Sequence, residues 1–292
     1  MPPNLGPVKV PPGLDPSIQL PLVPIDPAPN FTEQSKAVNE MIIVKKSDQR
    51  RHIENSEQNT WLTFDHENKV DPLRNGFGSL QLFNEEILTR GRALKLHPIK
   101  EMVIVTYLQK GVVVYHGPFG GSDVLEPGDF HRINVGPDDQ KYEFDAIFAA
   151  ETHLFQSGFK PDQAGVESRG KKVFYSHADR HGILKLIASP NGSEASLPIQ
   201  RDVHMYSTFI HPTQHIDHML KIGRSAWLHV VKGHVRVNDF QLQTGDGAGY
   251  SGESSLSFEA QMPSEILLFD LIEPVLEEGV MEPQKDGALS QT

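Results

Sequence analysis

One short pattern occurs twice in this 292-residue chain and narrows what it can fold into. From Val105 to Gly117, VTYLQKGVVVYHG sets an apolar strand, a tight Lys-Gly turn and a returning strand, and LEPGDF follows. From Trp227 to Asn238, WLHVVKGHVRVN repeats that order, and QTGDGAGY follows. Glycine after lysine supplies the positive φ that a hairpin turn needs, and each Gly-Asp opens a further strand. A hairpin module used twice predicts two related β-domains.

The rest of the chain agrees with an all-β reading. Short apolar or alternating runs recur with turn residues between them: Met41 to Val44, Gly78 to Phe83, Met102 to Leu108, Phe130 to Val135, Ala146 to Ala149 and His153 to Phe155. A second series holds Leu184 to Ala188, Val203 to Ile210, Ser225 to Val231, Gly247 to Tyr250 and Glu265 to Leu271. Many short strands predict sandwich or barrel architecture. The expected organisation is a proline-rich arm over 1–37, a first β-domain over 38–160, a second over 161–272 and an acidic tail over 273–292. Ten of the 22 prolines fall in the first 30 residues, a density that suits extended chain.

Composition excludes several functions. The net charge of -11 disfavours sequence-independent binding to nucleic acid or anionic lipid. The absence of cysteine removes disulfides, thiolate metal ligands and a thiol nucleophile. No apolar run reaches membrane-spanning length and no cationic-then-apolar leader opens the chain, so the expectation is a cytoplasmic protein. The glycines at 76–79 and 117–121 lack the strand-to-helix setting of a nucleotide site. Glu85 and Glu86 are read as loop decoration, and Arg132, Arg180 and Arg201 as surface or ion-pair groups.

WLTFDHENKVDPLRNGFGSLQLFNEEILTRG (61–91), HPIKEMVIVTYLQKG, EPGDFHRINVG, KYEF and LKLIASPNG together resemble the pirin family over about residues 41 to 272. The likeness is closer to pirin-like bicupins whose first metal motif has decayed. The resemblance implies two stacked jelly rolls with the pocket in the N-terminal one. It also implies a divalent ion, iron, nickel, manganese or zinc, held there by three histidines and a glutamate. Those positions fall on His97, Ile99, Lys141 and Glu143, so one imidazole has become a hydrocarbon and another an ammonium.

Residues two apart on a strand share a face, so 97 pairs with 99 and 141 with 143. A transition metal needs roughly three to six donors including water, and the inherited positions supply two. At ~4 Å and an effective dielectric near 20, unit charges interact by about 4 kcal/mol, so Lys141 would repel a cation there. The expectation is that no metal is bound and that Lys141 neutralises Glu143 in the ion's place. The pocket would then take a small aromatic molecule, or the protein would act through its surface in regulation.

The alternative is a metal-dependent quercetin 2,3-dioxygenase using His97 and Glu143 with His131 as replacement ligand. His131 shares its predicted strand face with Ile133 and Val135, and His116 lies in the same domain. Metal-free catalysis by Lys141 ranks last, because Glu143 beside it would keep the amine charged. Six histidines of the second domain also draw attention: His204, His211, His215, His218, His229 and His234. Among them HPTQHIDH (211–218) has the spacing of a zinc motif, yet Pro212 and flanking strand signals favour a solvated turn over a ligand cluster.

Overall fold

The computed structural model describes residues 41–55, 59–95, 101–136, 142–160 and 170–272. The expectations for the N-terminal arm and the C-terminal tail lie outside these residues. Among the described residues nearly all regular structure is β-strand, arranged as four sheets of seven, four, seven and four strands. The two seven-stranded sheets pack face to face, and each closes a barrel with its own four-stranded sheet. This is the all-β bicupin.

The first large sheet runs, edge to edge, through Lys171–Phe174, Asp129–Val135, Met102–Lys110, Glu151–Phe159, Leu80–Thr89, Asn59–Leu62 and Arg51–Glu54. Its small partner sheet holds Arg92–Lys95, Glu143–Ala146, Val113–His116 and Ser122–Leu125. The second large sheet runs through Met41–Lys45, Gly247–Ser251, Arg224–Lys232, Ser264–Ile272, Val203–Ile210, Lys185–Ser189 and Leu197–Pro198. Its small partner holds His215–Met219, Ser255–Ala260, His234–Val237 and Phe240–Gln243.

Sheet membership does not follow chain order at two edges. Met41–Lys45 pairs with Gly247–Ser251, and Lys171–Phe174 pairs with Asp129–Val135. Each barrel therefore takes one edge strand from the far side of the chain, which protects both edges and ties the halves together.

The central strands are buried on both faces, so they read as continuous apolar runs. One face of each large sheet fills its own barrel. Ile104, Leu108, Ile133 and Leu154 do so in the N-terminal barrel, meeting Tyr115 and Phe144 of the small sheet, and Leu228, Val230, Tyr250, Ile266 and Leu268 do so in the C-terminal one, meeting Phe258 of its small sheet. The opposite faces meet in a third core, where Phe83, Tyr107, Phe130 and Phe155 of one half join Trp227, Leu267 and Phe269 of the other.

The repeated sequence module is repeated in atomic detail. Gly111 and Gly233 adopt φ of 88° and 101° at the Lys-Gly turns. Asp129 accepts from the backbone N–H of Glu126 at 2.8 Å, and Asp246 from that of Gln243 at 3.1 Å. The preceding Gly128 and Gly245 have φ of 99° and 84°. A side chain at 128 would meet the Tyr175 carbonyl oxygen at 2.8 Å. Gly128→Ala is therefore expected to destabilise by about 1–3 kcal/mol through strain at a left-handed position, read as a lower midpoint in chemical denaturation.

Candidate site on the inner wall of the N-terminal barrel

The polar groups of the N-terminal barrel lie in a row across its large sheet. Strand register sets His131 opposite Thr106, Thr106 opposite Gln156, and Gln156 opposite Asn84. One step along, Leu154 stands opposite Glu86, and Glu86 opposite Thr60. Directly paired residues share a face, and Ile104, Leu108, Ile133 and Leu154 place this face inside the barrel.

His131 is buried, 1% exposed, on the strand Asp129–Val135. Its ring lies 4.5 Å from that of Tyr115 and 6.5 Å from that of Phe144, centroid to centroid. A side chain at Gly170 would meet its Nε2 at 2.6 Å, so the backbone leading into the edge strand packs against that nitrogen. Nδ1 has no hydrogen-bond partner. Burial pushes the imidazole down to about 4, with Lys172 and Arg132 adding to the shift and Asp123 opposing it. His131 is neutral at pH 7. Beside it, Gln156 Nε2 donates to Thr106 Oγ1 at 3.4 Å.

Glu86 is the acid on this wall. Thr60 donates to its carboxyl, yet burial pushes the group up to about 8, with Glu85 contributing a like charge. At neutral pH it is mostly protonated. Glu85 and Glu86 are thus not loop residues. Both lie within the ten-residue strand Leu80–Thr89, and alternation sends them to opposite faces. Glu85 points into the seam between the halves, where Arg50 donates to it at 2.7 Å and His153 lies at 2.8 Å. Burial alone would raise Glu85; the His153 hydrogen bond and the nearby Arg50 and His229 outweigh it and hold the group down at about 2.

Of the four positions matched to the family metal site, His97, Ile99 and Lys141 lie outside the described residues. Glu143 is described, on the strand Glu143–Ala146. It stands opposite His116, and its strand neighbours Tyr142 and Phe144 are buried in the barrel core. Alternation puts Glu143 on the outer, partly exposed face, with Asp145 and His116, whose side chains lie 3.3 Å apart. The structure therefore separates Glu143 and His116 from His131 by the thickness of the small sheet. Sequence spacing could not show this, because it left the strand's facing open.

The histidines of 211–218 also part company. His215 pairs with Asp217 at 2.9 Å, His218 pairs with Asp270 at 3.0 Å, and His211 leans on His181. Among the described residues no three His, Asp or Glu side chains are already gathered around an ion position. His229, a fully buried imidazole, lies in the seam against Phe83 with neither ring nitrogen paired. Of the arginines read as surface or ion-pair groups, Arg180 is an ion-pair group and Arg132 is not at the surface. Arg180 is buried between the halves, bonded to Glu265 and the Tyr107 hydroxyl, and Arg132 is buried and donates to the Pro198 carbonyl at 3.0 Å.

Comparison with known proteins fits this architecture. A family profile described as the quercetinase C-terminal cupin domain matches residues 186–271. The chain is 28% identical over 231 residues to the quercetin 2,3-dioxygenase of Escherichia coli K12, covering 79% of this chain and 99% of that one. It is 27% identical over 202 residues to a pirin-like protein of Caulobacter vibrioides, covering 68% and 86%. Among solved structures, YhhW from Escherichia coli superposes with a TM-score of 0.74 at 28% identity, covering 80% of this chain and 99% of that one. The bacterial pirin YhhW in complex with nickel(II) superposes with a TM-score of 0.72 at 26% identity, covering 80% and 100%. Two face-packed jelly rolls with exchanged edge strands define a bicupin. The chain is similar to pirins and to proteins named quercetin 2,3-dioxygenase over most of its length.

Proposed function

We propose that this bicupin uses its N-terminal barrel without a resident metal, as a binding site for a small, uncharged aromatic molecule. The observation that carries the reading is His131: a neutral, buried imidazole with a free Nδ1, set beside Thr106 and Gln156 and flanked by Tyr115 and Phe144. Rings beside a few aimed polar groups suit a flat, hydroxylated ligand.

The donors on the described inner wall support the metal-free reading. The described inner wall offers one neutral imidazole and a largely protonated carboxyl, and Glu143 is on the far side of its strand. Ile99 and Lys141 stand where the family pattern has imidazoles.

A second reading, a metal-dependent quercetin 2,3-dioxygenase with His97, Glu143 and His131 as ligands, draws support from the relatives' names and from the nickel(II) complex of the Escherichia coli pirin. The two part in one experiment. Tag-free full-length chain is incubated with nickel, iron or manganese and quercetin in air, and metal content is measured alongside flavonol absorbance. The metal-free reading expects no metal-dependent loss of flavonol and no fall in bound metal on His97→Ala. One equivalent of metal lost with His97→Ala, together with turnover that disappears, would establish the dioxygenase instead. With quercetin as an anaerobic binding probe, His131→Phe, which keeps ring volume but removes the polar atoms, is expected to weaken binding about tenfold. Unchanged affinity would move the ligand away from this wall.

A further inference from the structure

We infer that His177, His181 and His211 form a surface site for a divalent transition metal of the zinc, nickel or copper class, outside both barrels. The two elements that carry them are fixed by independent contacts. Ser176 caps the short helix His177–Arg180, accepting from the Asp179 N–H, while the Asp179 carboxylate accepts from the Ser176 N–H. His181 terminates that helix and bridges to Phe209, and Gly182 N–H donates to the Phe209 carbonyl at 2.8 Å. His211 follows the strand Val203–Ile210, and its backbone N–H donates to Gln214 Oε1 at 2.9 Å.

His177 opens the helix and His181, four residues on, caps it in extended conformation. Their ring centroids are 5.5 Å apart, and those of His181 and His211 are 4.9 Å apart. Two imidazoles bound to one tetrahedral ion through metal–nitrogen bonds of about 2 Å have centroids roughly 5 Å apart. As placed, the three side chains do not form a group that could hold an ion, so binding requires the rings to turn. All three side chains are exposed, so rotation about their own bonds can turn a nitrogen of each inward without moving the backbone.

No carboxylate competes from within the helix, because that of Asp179 is engaged by Ser176. His177 stacks on Phe209 at 4.1 Å, a contact that its ring has to leave or slide along to turn toward an ion. A bound ion would clip the helix to the turn at 211–214. That helix ends in Arg180, which reaches into the seam between the halves, so the ion would tighten a contact on which both barrels depend.

Tag-free full-length protein, stripped with chelator, is titrated with zinc and separately with nickel against a chromophoric competitor. One ion per chain is expected, with the thermal midpoint rising on zinc addition. His181→Ala and His211→Ala should each weaken binding at least tenfold and abolish the thermal shift. His215→Ala should change neither, since that ring is paired elsewhere. All these positions are exposed, so the variants are expected to fold, which near-ultraviolet dichroism checks. The inference is overturned if the parent takes up no ion, or if the triple variant H177A/H181A/H211A binds as the parent does. It is equally overturned if His97→Ala removes the ion, because the barrel would then be the site.

Discussion

Replacing Arg180 with alanine is expected to cost about 3–5 kcal/mol of folding free energy, the range for stripping one partner from a buried ion pair. Arg180 and Glu265 are each about 3% exposed at the side chain and 3.0 Å apart. The same guanidinium donates to the Tyr107 hydroxyl at 3.1 Å and to Ser207 at 3.0 Å, and it lies 4.4 Å from the Phe209 ring centre. Tyr107 in turn donates to Glu265. Tyr107 comes from the N-terminal barrel, while Ser207 and Glu265 come from the C-terminal one. Alanine would leave the buried Glu265 carboxyl without its cation, with only the neutral Tyr107 and Gln109 side chains beside it, and a void next to three aromatic rings.

The expected sign of the double change separates a specific clasp from bulk packing. Arg180→Met with Glu265→Gln removes both charges and keeps most of the volume, so it should recover much of the loss. Urea titrations of the four species measure the coupling. If Arg180→Ala alone costs less than about 1 kcal/mol, the seam is held by its apolar surface and the ion pair is incidental.

Much of this architecture is written locally. The Lys-Gly turns and the Gly-Asp strand starts are visible because positive φ and a capping carboxylate demand particular residues. Long apolar runs such as Met102 to Leu108 and Ser225 to Val231 mark central strands buried on both faces, observed as Met102–Lys110 and Arg224–Lys232. The strand expected at Ala146 to Ala149 lies earlier, at Glu143–Ala146. Its polar residues Glu143 and Asp145 alternate with Phe144 and Ala146, and an outer face that is polar weakens the apolar signal.

The exchange of edge strands leaves no local signal. Lys171–Phe174 and Met41–Lys45 read as ordinary strands wherever they pair. The His177, His181 and His211 cluster and the Arg180 seam are equally hidden, because their members meet only through tertiary packing. His229 shows the same limit from the other side. It sits in an apolar run, WLHVV, where sequence gives no hint that an imidazole would be buried against Phe83 with both nitrogens unpaired.

Above about pH 5 the native state should lose stability progressively until about pH 8, and Glu86→Gln should remove that loss. The folded carboxyl titrates at about 8, against 4.5 in the open chain, because burial on the inner wall penalises its charge. Folding therefore strengthens proton binding at this site. The stabilisation is complete below the unfolded value and fades as pH climbs through the folded one. A tenfold gain in proton affinity is worth about 1.4 kcal/mol, so the swing is on the order of a few kcal/mol. Glutamine keeps the shape and can still accept from Thr60, but it does not ionise. Its stability should match the parent near pH 4 and exceed it at pH 8.5. Glu85, one residue earlier and on the opposite face, acts in the reverse sense. Held at about 2 by His153, Arg50 and His229, it contributes stability above the unfolded carboxylate value and loses it as pH falls toward 2. Adjacent carboxylates on one strand thus close the stability range from both ends. Denaturation midpoints of the parent, Glu86→Gln and Glu85→Gln across pH 3 to 9 test this. A parent profile unchanged by Glu86→Gln on the alkaline side would mean that the barrel wall around residue 86 admits water and that the acid is ionised at neutral pH.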